Sequence, residues 1–138
     1  TPDPARALAD QLLVMGNAEE ALQVLDRAIG LFPRDGALLN SLGNALAAAR
    51  RPEEARQAYR RATRAAPDLA EPHNGLAAIF MAEGELDQAE RELRRALEID
   101  PEHAQALRNL RELERRRRSR PLQVAQFSSH RQLSNHAR

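Results

Sequence analysis

Apolar residues recur at positions i, i+3, i+4 and i+7 in a series of short segments, the spacing that predicts amphipathic helices. The segment "ALLNSLGNALAAA" carries one apolar face, made of Leu39, Leu42, Gly43 and Leu46. The following segment "PEEARQAYRRATRAA" carries another, made of Ala55, Ala58, Tyr59 and Ala62. Polar and turn-forming residues separate these segments. The pattern therefore predicts a succession of short helices, each with one buried side.

The same pattern returns every 34 residues. Four independent columns keep this period: Pro33, Pro67 and Pro101; Ala21, Ala55 and Ala89; Ala28, Ala62 and Ala96; and Leu8, Leu42, Leu76 and Leu110. A period of this length indicates stacked two-helix repeats. We predict three whole units, 2–35, 36–69 and 70–103, followed by a capping helix over 104–118 and a basic tail over 119–138.

The turn-forming and capping residues between the helices agree with this division. Gly16 and Gly84 lie where the first helix of a unit must end, and Arg50 takes that place in the middle unit. Pro52 is predicted at the first turn of a helix, where its missing N–H costs nothing. Three side-chain caps are also predicted at helix starts: Asn17 with Glu20, Asp68 with Glu71, and Asp3 before Pro4. The segment "AQALRNLRELERRRR" has one apolar face and is otherwise charged, as the terminal element of a stacked array requires.

These columns carry a family resemblance. The middle unit contains Leu39-x2-Leu42-Gly43-x2-Leu46, then Ala55-x3-Tyr59, Ala62 and Pro67. The sequence resembles the tetratricopeptide repeat (TPR) family over roughly residues 2–113, although the leading Trp of the family signature is absent. The resemblance implies an all-α fold, a right-handed α-solenoid of antiparallel helix pairs. It also implies a module that binds proteins or peptides in a concave groove lined by the first helix of each repeat.

Within the implied groove, the columns left free by packing define the candidate binding residues. They are Arg6, Asn40, Asn44, Asn74, Met81 and Arg108. An Asn side chain both donates and accepts, so a ladder of them can hold a peptide backbone whatever its side chains. The alternative is that these Asn residues are ordinary solvated helix positions.

The resemblance also suggests a comparison with TPR domains that clamp an acidic C-terminus through Lys, Asn and Arg side chains. The corresponding positions here are Arg6, Asp10, Ser41, Glu71 and Gly75. Because Asp10 and Glu71 would repel a carboxylate, we expect this clamp to be absent.

Composition narrows the chemistry. Hydrophobic residues make up 42% of the 138 and aromatic residues 3%, so the core must be built from Ala and Leu. The chain has no Cys, which excludes disulfides, thiolate metal sites and Cys nucleophiles. All 21 basic residues are Arg, a bias typical of GC-rich bacterial genomes. Without a leading Met, the chain is interpreted as a fragment or a mature form, and the compartment stays open between bacterial periplasm and cytoplasm.

Residues that could support catalysis are few. His73 occupies the packing column that the family usually gives to Trp, which favours a structural role. His130 and His136 lie six residues apart, with no Cys or paired carboxylate at ligand spacing, so no metal site is predicted. No glycine-rich phosphate loop or nucleophile elbow occurs. We therefore predict a non-enzymatic chain without a cofactor.

The run "RRRRSR", residues 115–120, has two interpretations. It is a signature of nucleic-acid contact or nuclear import, and it also suits a helix C-terminus, where cations offset the helix dipole. Aromatic residues interleaved for base stacking are missing, which disfavours nucleic acid. From Arg115 onward the chain carries seven Arg and no acidic residue. We expect the tail to dock on an acidic repeat surface or a partner chain through its Arg charge and four apolar anchors: Leu122, Val124, Phe127 and Leu133. This contact should loosen at higher salt, because its electrostatic part is exposed.

Two functions from different classes remain open. The first is an adaptor or assembly factor, for example a bacterial TPR lipoprotein that helps assemble a secretion or pilus complex. The second is a regulatory or substrate-recruiting segment of a larger enzyme, such as a glycosyltransferase, sulfotransferase or hydroxylase. A monomer with weak self-association is expected, because the first predicted helix leaves one apolar side uncovered.

Overall fold

The computed structural model describes residues 1–119, and regular structure within that range is entirely helical. The helices are α1 (Asp3–Val14), α2 (Ala18–Leu31), α3 (Gly36–Ala48), α4 (Pro52–Ala65), α5 (Glu71–Ala82), α6 (Leu86–Ile99) and α7 (104–119). Short turns join each first helix to an antiparallel second helix, and each second helix packs on the next first helix. The chain is thus an all-α solenoid, as predicted. No helix in the described range is long and apolar enough to cross a membrane.

Small side chains let the helices pack closely. The alanines of the repeat columns are fully buried where helices cross, and include Ala9, Ala21, Ala55, Ala77 and Ala89. Leucines fill the remaining core, with Leu25, Leu38 and Leu93 completely enclosed. A core with so few aromatic residues is possible because alanine at a crossing brings two backbones together without a gap.

The first helix of every repeat ends in the same way. The amide of Gly16 donates to the Leu13 carbonyl at 3.0 Å, and the amide of Asn17 donates to the Leu12 carbonyl at 2.8 Å. This pair of bonds is a Schellman motif, and it requires a left-handed residue at the helix end. It recurs at intervals of 34 residues, with φ of 81° at Gly16, 61° at Arg50 and 77° at Gly84. The predicted helix ends are confirmed at all three positions.

The three predicted side-chain caps are wrong. Asn17 precedes α2, but its ψ of 62° lies outside the extended region from which an N-cap side chain reaches back, and it makes no capping bond. Asp3 is already the first residue of α1. Asp68 lies in a turn before Ala70, the residue that precedes α5. Two caps that do form were missed. Asp35, with extended backbone, accepts from the Leu38 amide at 2.9 Å, and His103, before α7, accepts from the Ala106 amide at 3.2 Å.

The two ends of the array differ. Leu42 and Leu76 are 9% and 3% exposed because the preceding second helix covers them, whereas Leu8 in the same column is 48% exposed. Leu31 and Phe32 lie beside it and are also exposed. At the other end, α7 covers α5 and α6 and turns a charged surface to solvent. The predicted anchors Leu122, Val124, Phe127 and Leu133, and the histidines His130 and His136, lie outside the described residues.

Candidate functional site: the groove of the first helices

Side chains of α1, α3 and α5 enclose a small polar cavity, which we call the polar pocket. It has a volume of about 250 Å³ and is lined by Arg6, Asp10, Ala37, Asn40, Ser41, Asn44, Leu69 and Glu71. The lining residues of α3 recur at i, i+3, i+4 and i+7, so they share one face of that helix. Three of the predicted groove residues, Arg6, Asn40 and Asn44, meet here.

Hydrogen bonds fix the walls of the polar pocket. The Ser41 hydroxyl donates to Asp10 Oδ1 at 3.2 Å, and Arg6 lies 3.6 Å from the carboxylate of Asp3. Asn40 Oδ1 is buried and has no donor among the described residues. Such an acceptor lowers stability until a donor reaches it. Among the described residues, the lining therefore contains one hydrogen-bonded carboxylate, that of Asp10, and one buried acceptor without a donor.

A second cavity, the apolar pocket, follows along α3 and α5. Its volume is about 450 Å³, and it is lined by Ala47, Arg50, Pro52, Tyr59, Gly75, Ala78, Ile79, Ala82 and Glu83. Ala47, Ala78 and Ala82 are exposed, so the pocket opens to solvent over small side chains. On its rim, Arg56 pairs with Glu83 and with Glu53, the latter at 3.2 Å, and lies 5.2 Å from the centre of the Phe80 ring.

Tyr59 separates the two pockets. Its hydroxyl donates to Asn44 Oδ1 at 2.6 Å, and its ring lies between Gly43 and Gly75. A Cβ at Gly43 would lie 2.5 Å from the ring, and one at Gly75 would be closer still. Burial raises the pKa of Tyr59 to about 12. Both glycines are thus required for the ring to sit between α3 and α5.

Asn74 and Met81 do not lie in an open groove, and the prediction that their stripe is free is wrong at these two positions. Both are buried, at 8% and 6% exposure. Asn74 donates to Gln105 at 3.3 Å and accepts from Asn109 at 2.8 Å, so its amide is used to hold α7. The Met81 carbonyl accepts from Arg116 at 3.0 Å. Arg108 is exposed on the outer part of α7 and lines neither pocket.

Most of the arginine run is engaged within the fold. Arg115 and Arg116 bond the carboxylate of Glu112 at 2.7 and 3.0 Å. Arg117 pairs with Asp87 at 2.6 Å and with Glu90 at 2.8 Å, which fastens α7 to α6. The hydrogen bonds from Arg115 and then Arg116 lower the pKa of Glu112 to about 2. Residues 115–117 therefore complete the cap, and they form no isolated basic surface.

His73 is a packing residue in this structure. Its ring is 8% exposed, and Nδ1 lies 2.8 Å from the Glu92 carboxylate on α6. Across residues 1–119, no three His, Asp or Glu side chains come together as a metal ion would require. The chemistry that the described residues offer is hydrogen bonding, charge and apolar contact in the groove.

Comparison with known proteins identifies the family. Two tetratricopeptide repeat models match adjoining segments, residues 6–70 and residues 70–103. The chain belongs to the tetratricopeptide repeat family.

Solved structures agree on the fold. The first TPR domain of human RPAP3 superposes with a TM-score of 0.78 at 17% identity, over 86% of this chain and 93% of that one. The Sgt2 TPR domain of Aspergillus fumigatus gives 0.79 at 15% identity, over 87% and 81%. The first TPR of Spaghetti (RPAP3), bound to the HSP90 peptide SRMEEVD, gives 0.74 at 17% identity, over 83% and 90%.

Two curated relatives from Arabidopsis thaliana share sequence with the chain. The TPR repeat-containing thioredoxin TTL4 is 41% identical over 78 residues, which are 56% of this chain and 11% of that protein. The inactive TPR repeat-containing thioredoxin TTL3 is 30% identical over 92 residues, 67% of this chain and 13% of that protein. The chain spans little more than a tenth of the length of these relatives.

Proposed function

We propose that this chain is a non-enzymatic interaction module that binds an extended segment of a partner protein in the groove of α1, α3 and α5. The observation that carries the proposal is the pair of adjoining pockets on the first helices, one polar and one apolar, on either side of the Tyr59–Asn44 hydrogen bond. Concave sites that combine apolar walls with a few oriented polar groups are the usual form of a binding site. A similar fold, the first TPR of Spaghetti (RPAP3), has been solved with a peptide bound.

Blocking the apolar pocket tests this function. Ala78 is exposed in the pocket, so Ala78→Arg fills the opening with little effect on the core. We expect the variant to lose the binding that the parent chain shows to a random peptide library displayed on phage. Gln57→Arg adds the same charge on the exposed side of α4 and is the matched control. Equal enrichment of peptides by the parent and by Ala78→Arg would place binding outside the groove.

The broader role is also a proposal. One candidate is an adaptor or assembly factor, for example a bacterial lipoprotein of a secretion or pilus complex. Such a protein needs only this groove and a lipid anchor. A recruiting segment within a larger protein is favoured by a specific observation, the small share of TTL4 and TTL3 that the chain covers. The sequence of the full-length gene discriminates between them: an upstream lipobox Cys supports the first and an adjoining catalytic domain supports the second.

A further inference from the structure

The polar pocket carries an excess of negative charge. Among its lining residues, the carboxylates of Asp10 and Glu71 outnumber one guanidinium, that of Arg6, which gives a net charge of −1. Arg6 already faces Asp3. Within the described range 1–119, neither Asp10 nor Glu71 takes part in an ion pair, and both carboxylates are exposed.

Two hydroxyl donors near the pocket are already engaged. The Ser41 hydroxyl donates to Asp10 and the Tyr59 hydroxyl donates to Asn44. The lining also carries two acceptor groups with negative charge, the carboxylates of Asp10 and Glu71. Among the described residues, Arg6 is the only cation that lines the pocket, so an anionic ligand would meet it beside two like charges. A cation that carries several N–H donors could bond both carboxylates.

The distance to the apolar pocket sets the spacing of the ligand. Asn40 and Ala47 are seven residues apart on α3, as are Glu71 and Ala78 on α5, and seven residues of helix extend about 10 Å. A peptide in the polyproline II conformation advances about 3.1 Å per residue. The two pockets therefore receive side chains that are about three residues apart in an extended peptide.

We infer that the groove selects an extended peptide segment that places a Lys or Arg side chain in the polar pocket and an apolar side chain, three residues away, in the apolar pocket. This inference rests on the proposed function, since it names the ligand of the same groove. It assigns the opposite charge preference to that of an acidic C-terminal peptide. The net negative charge of the polar pocket and the small apolar walls beyond Tyr59 are the two features that specify this ligand.

Three peptide pools test the inference on the whole chain. Each pool holds blocked nonapeptides with a degenerate Ala, Ser, Gln and Thr background, and two fixed positions three apart: Lys and Leu, Glu and Leu, or Lys and Gly. We expect the Lys–Leu pool to bind about tenfold more tightly than the Glu–Leu pool. The carboxylates of Asp10 and Glu71 attract the Lys side chain and repel the Glu side chain near the protein surface. The Lys–Gly pool should bind more weakly than the Lys–Leu pool. Both orders of the fixed pair are included, because the groove has two possible chain directions.

Charge-neutral variants identify the residues responsible. Asp10→Asn with Glu71→Gln removes both carboxylates while keeping an acceptor for Ser41, and it should reduce Lys–Leu binding at least to the level of the Glu–Leu pool. Asp26→Asn with Glu98→Gln makes the same charge change on exposed positions of α2 and α6, and should leave binding unchanged. Thermal melts establish that both double variants are folded.

The possible outcomes distinguish a failure of the charge preference from a failure of the proposed function. Preference for the Glu–Leu pool, abolished by Ala78→Arg, would overturn the charge assignment and leave the groove as the binding site. Equal loss of Lys–Leu binding in both double variants would mean that the overall charge of the chain causes the preference. It would refute the assignment of the Lys or Arg side chain to the polar pocket. Absence of binding by any pool would count against the proposed function itself.

Discussion

Arg50 holds a conformation that arginine rarely adopts. Its φ of 61° places it in the left-handed region, where Gly16 and Gly84 occupy the equivalent positions of the neighbouring repeats. A residue with a Cβ pays roughly 1–2 kcal/mol for this conformation. The side chain is exposed, so little packing offsets that strain.

Arg50→Gly should therefore raise the free energy of unfolding by about 1 kcal/mol. Urea denaturation followed by circular dichroism measures the change, as a shift of the midpoint with an unchanged m-value. The neighbouring Arg51 has φ −117° and an ion pair with Glu54 at 2.6 Å, so Arg51→Gly should destabilise the chain instead. A loss of stability in Arg50→Gly would mean that the side chain contributes more than its backbone costs.

The titration of Tyr59 can be followed by absorbance, because it is the only Tyr in a chain without Trp. Its folded-state pKa of about 12 exceeds the ordinary 10.0, so burial of the neutral hydroxyl contributes stability that is complete below pH 10 and is lost as pH rises through about 12. Absorbance near the phenolate band should titrate about two pH units later in the folded chain than in urea. Coincident titrations would contradict the burial of the hydroxyl.

At the scale of elements, the ring of Tyr59 sets how closely α3 and α5 approach α4. Gly43 and Gly75 leave the space that the ring fills, and the ring is 3% exposed, so it has no room to move aside. An extra methyl at either glycine must displace a helix. Ordinarily, replacing a helical glycine with alanine is favourable, because glycine loses more conformational freedom on folding.

Gly75→Ala should lower the free energy of unfolding by about 1–3 kcal/mol through overpacking. Gly30→Ala is the matched control, since a Cβ at that position in α2 meets nothing within 4 Å, and it should stabilise the chain by roughly 0.5 kcal/mol. Thermal melts of the two variants against the parent chain compare the signs. If both substitutions stabilised, Tyr59 would not hold the helices apart.

The ion pairs of Glu112 within α7 give a prediction with a defined pH window. The pKa of Glu112 falls from 4.5 to about 2 because Arg115 and Arg116 bond its carboxylate, so the stabilisation is complete above pH 4.5 and is lost as pH falls through about 2. Carbon-13 NMR of the Glu112 carboxyl should show this titration. Arg115→Gln with Arg116→Gln should move it upward, whereas Arg118→Gln should not. An unchanged titration in the double variant would exclude these arginines as its cause.

For the whole molecule, the 34-residue columns were sufficient to predict the helices, their pairing and the positions at which the first helices end, because each depends on local spacing. The capping side chains were not predictable, since they depend on ψ values that tertiary packing determines. Burial of Asn74 and Met81 was missed for a similar reason: the columns place them on the groove stripe, but α7 crosses that stripe. The role of Tyr59 had a readable signal, namely two glycines in first helices flanking the only aromatic residue of α4.

The uncovered side of α1 makes a prediction about association. A cavity of about 490 Å³ lies there, with Pro4, Leu8, Val24, Leu31 and Phe32 among its walls. We expect weak, concentration-dependent self-association in sedimentation velocity, driven by burial of these apolar groups. Leu8→Gln with Leu31→Gln should remove it, and Leu13→Gln, a half-buried position on the other side of α1, should not. A stable tetramer at low concentration would contradict this account.

The two carboxylates that line the polar pocket also make the groove chemically addressable. Carbodiimide activation joins a carboxylate to a nearby amine without a spacer, and this chain contains no Lys that could react with its own carboxylates. Apart from the α-amine of Thr1, every amine in such a mixture belongs to the ligand. A lysine held against Asp10 or Glu71 would therefore form an amide bond at its binding position, and mass spectrometry of the joined fragments would read out the partner and its register together.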